Sequence, residues 1–282
     1  MQGRIVKLIS NDYTVEANGI LLVCKSRGKF RNLHITPLVG DFVVFDEEHH
    51  YIMEVLPRNN ALIRPPVANI DQVFIITSAK HPDFSTNLLD KLLTVIEFHQ
   101  IKPIICFTKM DLLNADEVKE IKKYIDYYQT IGYLVLENTE LEKIKGCFLN
   151  KTSVFTGQSG AGKSTLLNRL DSSLQIKTDD ISYALGRGKH TTRHVELIFL
   201  YGGYVADTPG FSAISFLDMT AADIRDQFVE FNLYREDCEY KDCMHLSEDK
   251  CAIKKKVEEG LICKSRYENY VNFVTKKERK GK

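Results

Sequence analysis

No stretch of this sequence is apolar for long enough to cross a bilayer. The start, Met1-Gln2-Gly3-Arg4-Ile5-Val6-Lys7, also lacks the apolar core that follows the cationic start of a secretory leader. The expected location is therefore the cytoplasm. Net charge is absent too: 38 Lys and Arg balance 38 Asp and Glu, so the chain as a whole has no field that draws it to a polyanion. Any contact with nucleic acid must come from local basic clusters. Seven cysteines is an odd number for a disulfide framework. Three of them bunch with a histidine between residues 238 and 251, which suits a metal in a reducing compartment. Cys24, Cys106 and Cys147 lie in apolar runs and read as core fillers. The 282 residues, 44% hydrophobic and 27% charged, are enough for about two globular units and an appendage.

What is present is organised around Gly157-Gln158-Ser159-Gly160-Ala161-Gly162-Lys163-Ser164, which fits the phosphate-loop pattern G-x-x-x-x-G-K-[ST]. A β-rich run, Thr152 to Thr156, precedes it, and helical apolar spacing follows through Thr165 to Leu170. The glycines let the backbone wrap closely around phosphate oxygens, and the helix start offers free N–H groups at its positive dipole end. Lys163 adds a point charge and Ser164 supplies a hydroxyl for Mg²⁺.

Residues 1–64 read as all-β. The runs Gly3–Ile9, Tyr13–Ala17, Ile20–Cys24, Asp41–Phe45 and Tyr51–Val55 are short and rich in β-branched residues, and Asn18-Gly19 is a strong hairpin signal. Five such strands without a helix between them predict a small barrel of the OB type, with a sandwich as the other solution. Lys25, Arg27, Lys29 and Arg31 alternate through one loop with Phe30 among them, as a surface for phosphates and one stacked base would. Arg64-Pro65-Pro66 marks a boundary. From there to about residue 218, buried-type strands at 71–77, 102–107 and 132–136 alternate with helical stretches at 88–98 and 117–128. This predicts a mostly parallel sheet that the phosphate loop enters midway. Residues 219–282 form the third unit.

Thr108-Lys109-Met110-Asp111 follows the strand at 102–107 and is a variant of the [NT]-K-x-D guanine reader. The Asp111 carboxylate accepts from both the ring N1–H and the exocyclic amine of guanine, whereas adenine presents an acceptor there. The stem of Lys109 can lie along the base plane. Downstream, a strand runs into Asp207-Thr208-Pro209-Gly210, where Asp207 would support the Mg²⁺ shell and the Gly210 N–H would sense a γ-phosphate. Between them, Gly186 to His194 has the polar, glycine-punctuated character of a switch. Thr192 is the choice for its Mg²⁺ ligand and Thr191 is the alternative. The base reader thus precedes the phosphate loop, the reverse of the ordinary order, which requires a circular permutation with new termini near residue 65.

On these motifs the chain resembles the RsgA family, the small-ribosomal-subunit-dependent, circularly permuted GTPases. Thr108–Asp111, Gly157–Ser164, Gly186–Thr192, Asp207–Phe211 and Arg27–Arg31 match it in family order. The resemblance implies an OB-fold, a permuted GTPase core and a C-terminal zinc region. It also implies GTP hydrolysis to GDP and phosphate with Mg²⁺ in late maturation of the small (30S) subunit, in contact with 16S rRNA. One departure is Glu137-Asn138-Thr139, where the family usually has a Ser-Ala-x element against the guanine O6.

Phe211 stands where many GTPases place a water-orienting Gln, so the chain by itself is expected to be slow and a partner to accelerate it. His190 is the internal candidate for that polar role, and a plain loop histidine is the other reading. Cys238, Cys243, His245 and Cys251 form the donor set of a closed structural zinc site, though without a C-x2-C knuckle, and Cys263 is a substitute ligand. The basic run Lys276 to Lys282 reads as a solvated tail. The expected assembly is a monomer with no membrane partner. The rival reading is a soluble GTP hydrolase that acts on a protein without rRNA.

Overall fold

The structure, a computed structural model, describes residues 1–62, 66–174, 195–207 and 216–280. The N-terminal strands β1 (Gln2–Ile9), β2 (Asp12–Ala17), β3 (Ile20–Ser26), β4 (Phe42–Asp46) and β5 (Tyr51–Val55) coincide with the runs that the sequence predicts. Their order is β1-β2-β3-β5-β4, and β4 returns to pair with β1, so the sheet closes into a barrel rather than a sandwich. Asn18 and Gly19 both adopt left-handed backbone, as a two-residue hairpin turn requires. Ile5, Val15, Val43, Phe45 and Ile52 fill the interior.

A short hairpin of β6 (Ala61–Leu62) and β7 (Val67–Ala68) leads into the second unit. There β8 (Gln72–Ser78), β9 (Lys102–Thr108), β10 (Leu134–Glu137), β11 (Thr152–Thr156) and β13 (Gly203–Asp207) run parallel, and β12 (Val195–Leu200) lies antiparallel beside β13. Strand β8 is apolar almost throughout because helices cover both faces of a parallel sheet. Helix α1 (Lys29–Asn32) belongs to the barrel; α2 (Thr86–Phe98), α3 (Ala115–Thr130), α4 (Leu141–Gly146) and α5 (Lys163–Leu170) cross between the parallel strands. Ser85 caps α2, and Asn114 with Glu117 forms a capping box on α3.

The parallel sheet and the barrel are joined. Strand β1 pairs with β12 through Lys7↔Glu196 and Leu8↔Val195, so the described strands of both units form one sheet of 11 strands. Lys7 Nζ lies 2.9 Å from Glu196 Oε2 across this seam. Beside it, Arg4 Nη2 donates to Thr152 Oγ1 at 2.7 Å, and its guanidinium stacks on Tyr204.

The third unit holds α6 (Ala221–Asp226), α7 (Ala252–Glu258) and α8 (Lys264–Lys280). Its core of Ile224, Phe228, Phe231, Ile253, Tyr270 and Phe273 also takes in Val95 of α2. Fully buried Arg266 on α8 bridges the two units. It donates twice to Glu230, at 2.5 and 3.1 Å, and once to Asp90 of α2, at 2.7 Å. The run expected as a solvated tail is instead helical to Lys280, and Lys277 Nζ donates to the Phe216 carbonyl at 2.7 Å. Among the described residues, no helix is long and apolar enough to cross a membrane.

Candidate nucleotide site and metal centre

The parallel register places the carboxyl ends of β8, β9, β10, β11 and β13 along one edge of the sheet, where loops of open α/β sheets hold ligands. The phosphate loop leaves β11 there. Gly157 has φ +140°, and a Cβ on it would sit 2.0 Å from the Ile76 carbonyl oxygen, so only glycine fits. Gly162, at φ +94°, begins α5 and aims the first helical N–H groups into the loop. Gln158, Ser159, Gly160 and Thr165 are exposed around the loop, Ala161 is buried beneath it, and Ser164 is buried in the first turn of α5.

The Lys163 ammonium folds back onto the loop and donates to the carbonyls of Gly157 and Gln158, each at 2.8 Å. Desolvation pushes its pKa down to about 8. Those carbonyl contacts trace a cradle closed on its own cation, a conformation from which phosphate oxygens would draw the ammonium outward.

The residues expected to read the base meet this cradle directly. Thr108 Oγ1 donates to the Ala161 carbonyl at 2.6 Å, although the two are 53 positions apart in the chain. Lys109 takes a left-handed backbone, which turns Met110 and Asp111 away from β9, and its Nζ donates to the His81 carbonyl. Asp111 is exposed at this turn. The segment Glu137-Asn138-Thr139 ends β10 beside this turn. Two of its amides are already engaged, Asn138 N–H with the Phe107 carbonyl and Glu137 N–H with the Glu140 carboxylate, each at 2.8 Å. Asp207 closes β13, but its side chain, with His190, Thr191, Thr192, Gly210 and Phe211, lies outside the described residues.

The loop from Ala79 to Ser85 was not anticipated. It forms one wall of the site: Lys109 reaches His81, and a Cβ on Gly160 would meet Pro82 at 3.7 Å. The only local signal was a Lys-His-Pro turn straight after a buried strand.

In the third unit, the donor atoms of Cys238, Cys243, His245 and Cys251 all lie within 4.8 Å of one another. A tetrahedral zinc with thiolates has ligand–ligand edges of about 3.8 Å, so the set fits such an ion. His245 Nδ1 is 3.3 Å from Cys251 Sγ and 3.7 Å from Cys238 Sγ. Burial pushes the Cys243 thiol up to about 12 and the His245 imidazole down to about 4, so a bound cation would be needed to draw the thiolate form. Tyr267 donates to the His245 carbonyl at 2.7 Å, and Glu248 accepts from the amides of Met244 and Leu246 at 2.6 and 2.7 Å, which holds the loop. Cys263 stands apart from the group, with its Sγ 3.3 Å from Ser265 Oγ.

On the barrel, one expectation fails. Phe30 is buried, because α1 turns it into the barrel core, and it offers no ring to a base.

A phosphate loop braced by Thr108 at the end of a neighbouring strand that precedes it in the chain is the arrangement that a circularly permuted P-loop GTPase requires. A sequence model described as RsgA GTPase matches residues 55–217, and one described as RsgA N-terminal domain matches residues 2–51. The chain belongs to the RsgA family and is a GTPase. It is 50% identical to the protein named small ribosomal subunit biogenesis GTPase RsgA 2 of Oceanobacillus iheyensis, with 97% of this chain and 96% of that one covered. It is 48% identical to RsgA of Enterococcus faecalis, with 97% and 94% covered. Among solved structures, that of YloQ, described as a circularly permuted GTPase, superposes with a TM-score of 0.84 at 39% identity and covers 99% of this chain and 95% of that one. That of YjeQ from Thermotoga maritima gives 0.84 at 34%, covering 98% and 97%.

Proposed function

We propose that this GTPase binds the small ribosomal subunit in the cytoplasm as a monomer, contacts its 16S rRNA, and hydrolyses GTP during late 30S maturation, with hydrolysis stimulated by the subunit. The observation that carries the nucleotide part is the 2.6 Å bond from Thr108 to Ala161, which holds the end of β9 against the phosphate loop and supports reading Thr108–Asp111 as the base reader. The ribosomal part rests on the names of the relatives, which span nearly the whole chain. Units 1–64, 65–218 and 219–282 would then act as RNA-binding barrel, switch and zinc-held clamp.

Asp111 accepts from guanine, Lys109 flanks the base, and the amides from Gln158 to Thr165 surround the phosphates. Lys163 exchanges its two carbonyl partners for phosphate oxygens and neutralises charge in the transition state. Mg²⁺ would be held by Ser164 and Thr192 with Asp207 behind them, and supplies charge neutralisation at the β- and γ-phosphates. Gly210 senses the γ-phosphate, and His190 is the candidate for the polar group that orients water. Zinc would be held by Cys238, Cys243, His245 and Cys251 and has a structural role, since four protein ligands leave no open position.

The test is GTP turnover with and without purified small subunits. Stimulation that weakens steeply as salt rises is expected. A rate that the subunit does not change, or an Asp111→Asn variant that keeps its preference for guanine over xanthine, would refute the assignment.

A further inference from the structure

The loss of Phe30 as a stacking platform leaves the basic loop without an aromatic, but a strand from elsewhere in the barrel supplies one. Tyr51, at the start of β5, is 45% exposed. It pairs with Lys25 of β3 on one side and with Asp46 of β4 on the other. Parallel pairing of β3 with β5 thus brings the basic loop that follows β3 alongside Tyr51. Arg27, Gly28, Asp46, His49, Tyr51 and Met53 line an open cavity of about 410 Å³. That lies within the range of small-ligand clefts.

The chemistry of the lining narrows the ligand. Arg27 Nη1 sits 3.7 Å from Met53 Sδ, a weak contact that costs little to exchange for a phosphate oxygen. A Cβ on Gly28 would meet nothing within 4 Å, so the backbone there faces open space. The Asp46 carboxylate accepts on one oxygen from the amides of Glu48 and His49, each at 3.0 Å, and on the other faces His49 Nδ1 at 3.0 Å, and it stays in the rim of the cavity as an acidic group. A bare phosphate would meet repulsion from it. A ligand with a flat, weakly charged face can set that face beside Asp46 and carry its anionic end to Arg27.

We infer that this cavity is a subsite for one unpaired nucleotide of RNA, whose base stacks on Tyr51 and whose phosphate meets Arg27. The inference rests on the rRNA-binding reading above and gives it a location. A base in a duplex cannot reach a single exposed ring in such a cavity, so the subsite selects single-stranded or bulged RNA.

The experiment uses the full chain, a labelled single-stranded RNA hexamer of mixed sequence and its blunt duplex in anisotropy titrations, together with co-sedimentation on small subunits. The hexamer is expected to bind better than the duplex. Tyr51→Ala should weaken hexamer binding about 10-fold or more, while Tyr51→Phe keeps it. Arg27→Gln should lower the slope of log affinity against log salt by about one. Tyr51 is exposed, so its truncation leaves the barrel core intact, and circular dichroism of the variants checks it. If Tyr51→Ala binds the hexamer and the subunit as the parent does, or if the duplex binds as well as the hexamer, the subsite is overturned while ribosomal binding stands. If the parent chain sediments with no subunit at all, both fall.

Discussion

Replacing Arg266 with Met tests how the third unit is fastened to the nucleotide-binding unit. The side chain is fully buried between Asp90 and Glu230 and lies over Phe228, with 4.7 Å from its guanidinium carbon to the ring centre. Asp90 also accepts from Tyr128 Oη at 2.7 Å and Asn269 Nδ2 at 2.6 Å, so the loss of Arg266 leaves it hydrogen-bonded but uncompensated. Breaking a buried ion pair on one side costs about 3–5 kcal/mol, and here two carboxylates lose one partner. Burial already raises the Asp90 pKa against the pull of Arg266. Without the arginine it rises further, and the folded variant takes up protons that the unfolded chain does not hold. A carboxylate whose folded pKa is raised favours the folded state below its unfolded value, near pH 4, and loses that contribution as pH rises through the folded pKa. The deficit of Arg266→Met should therefore grow with pH across 5–8, by up to about 1.4 kcal/mol per unit from Asp90. Guanidinium unfolding followed at several pH values measures it. A deficit under about 1 kcal/mol, or one that does not change with pH, would refute the account. The triple variant Arg266→Met, Asp90→Leu, Glu230→Leu should recover much of the loss, because no buried charge remains.

Lys163 gives a second pH signature. With its pKa near 8 in the free chain and higher against phosphates, nucleotide binding should take up about 0.25 proton at pH 7.5 and about 0.75 at pH 8.5. Affinity then falls as pH rises above 8, and calorimetry in buffers of different ionisation heat measures the uptake, which Lys163→Met should abolish. Gly157→Ala forces a Cβ against the Ile76 backbone and should cost at least about 2 kcal/mol and nucleotide binding with it. Gly132→Ala is the control, with φ +103° but nothing within 4 Å, and should cost about 1 kcal/mol. Metal analysis should find one zinc per chain. Cys243→Ser should lose that zinc together with protection of amides between residues 238 and 251.

The parts of the fold that were legible in the sequence are those fixed locally. Asn18-Gly19 needs only its own backbone preferences to make a hairpin, and the phosphate loop announces itself because its glycines, lysine and serine stand at fixed spacings within eight consecutive residues, although Gly157 answers to Ile76 on a different strand. Arg266 shows the limit. In the sequence it is one more cation on a helix, and its burial follows from Glu230 and Asp90, which are 36 and 176 positions away. Strand β12 carries an apolar pattern, but its pairing with β1 spans 189 positions at Lys7 and Glu196 and leaves no periodic trace. Phe30 misled because a basic loop with an aromatic looks like a stacking surface until α1 turns the ring inward. Tyr51 escaped notice because its neighbours in space, Arg27 in the loop after β3 and Asp46 at the end of β4, come from separate parts of the chain.

The seam between β1 and β12 has a consequence for recognition at large distances. Two bodies on a loose tether must give up their mutual rotation before they can grip one partner, and that lost entropy is subtracted from the affinity. With Lys7 and Leu8 paired into the sheet that bears the nucleotide loops, the barrel keeps a fixed orientation to them, so a large RNA partner would meet its cations and exposed rings already aimed.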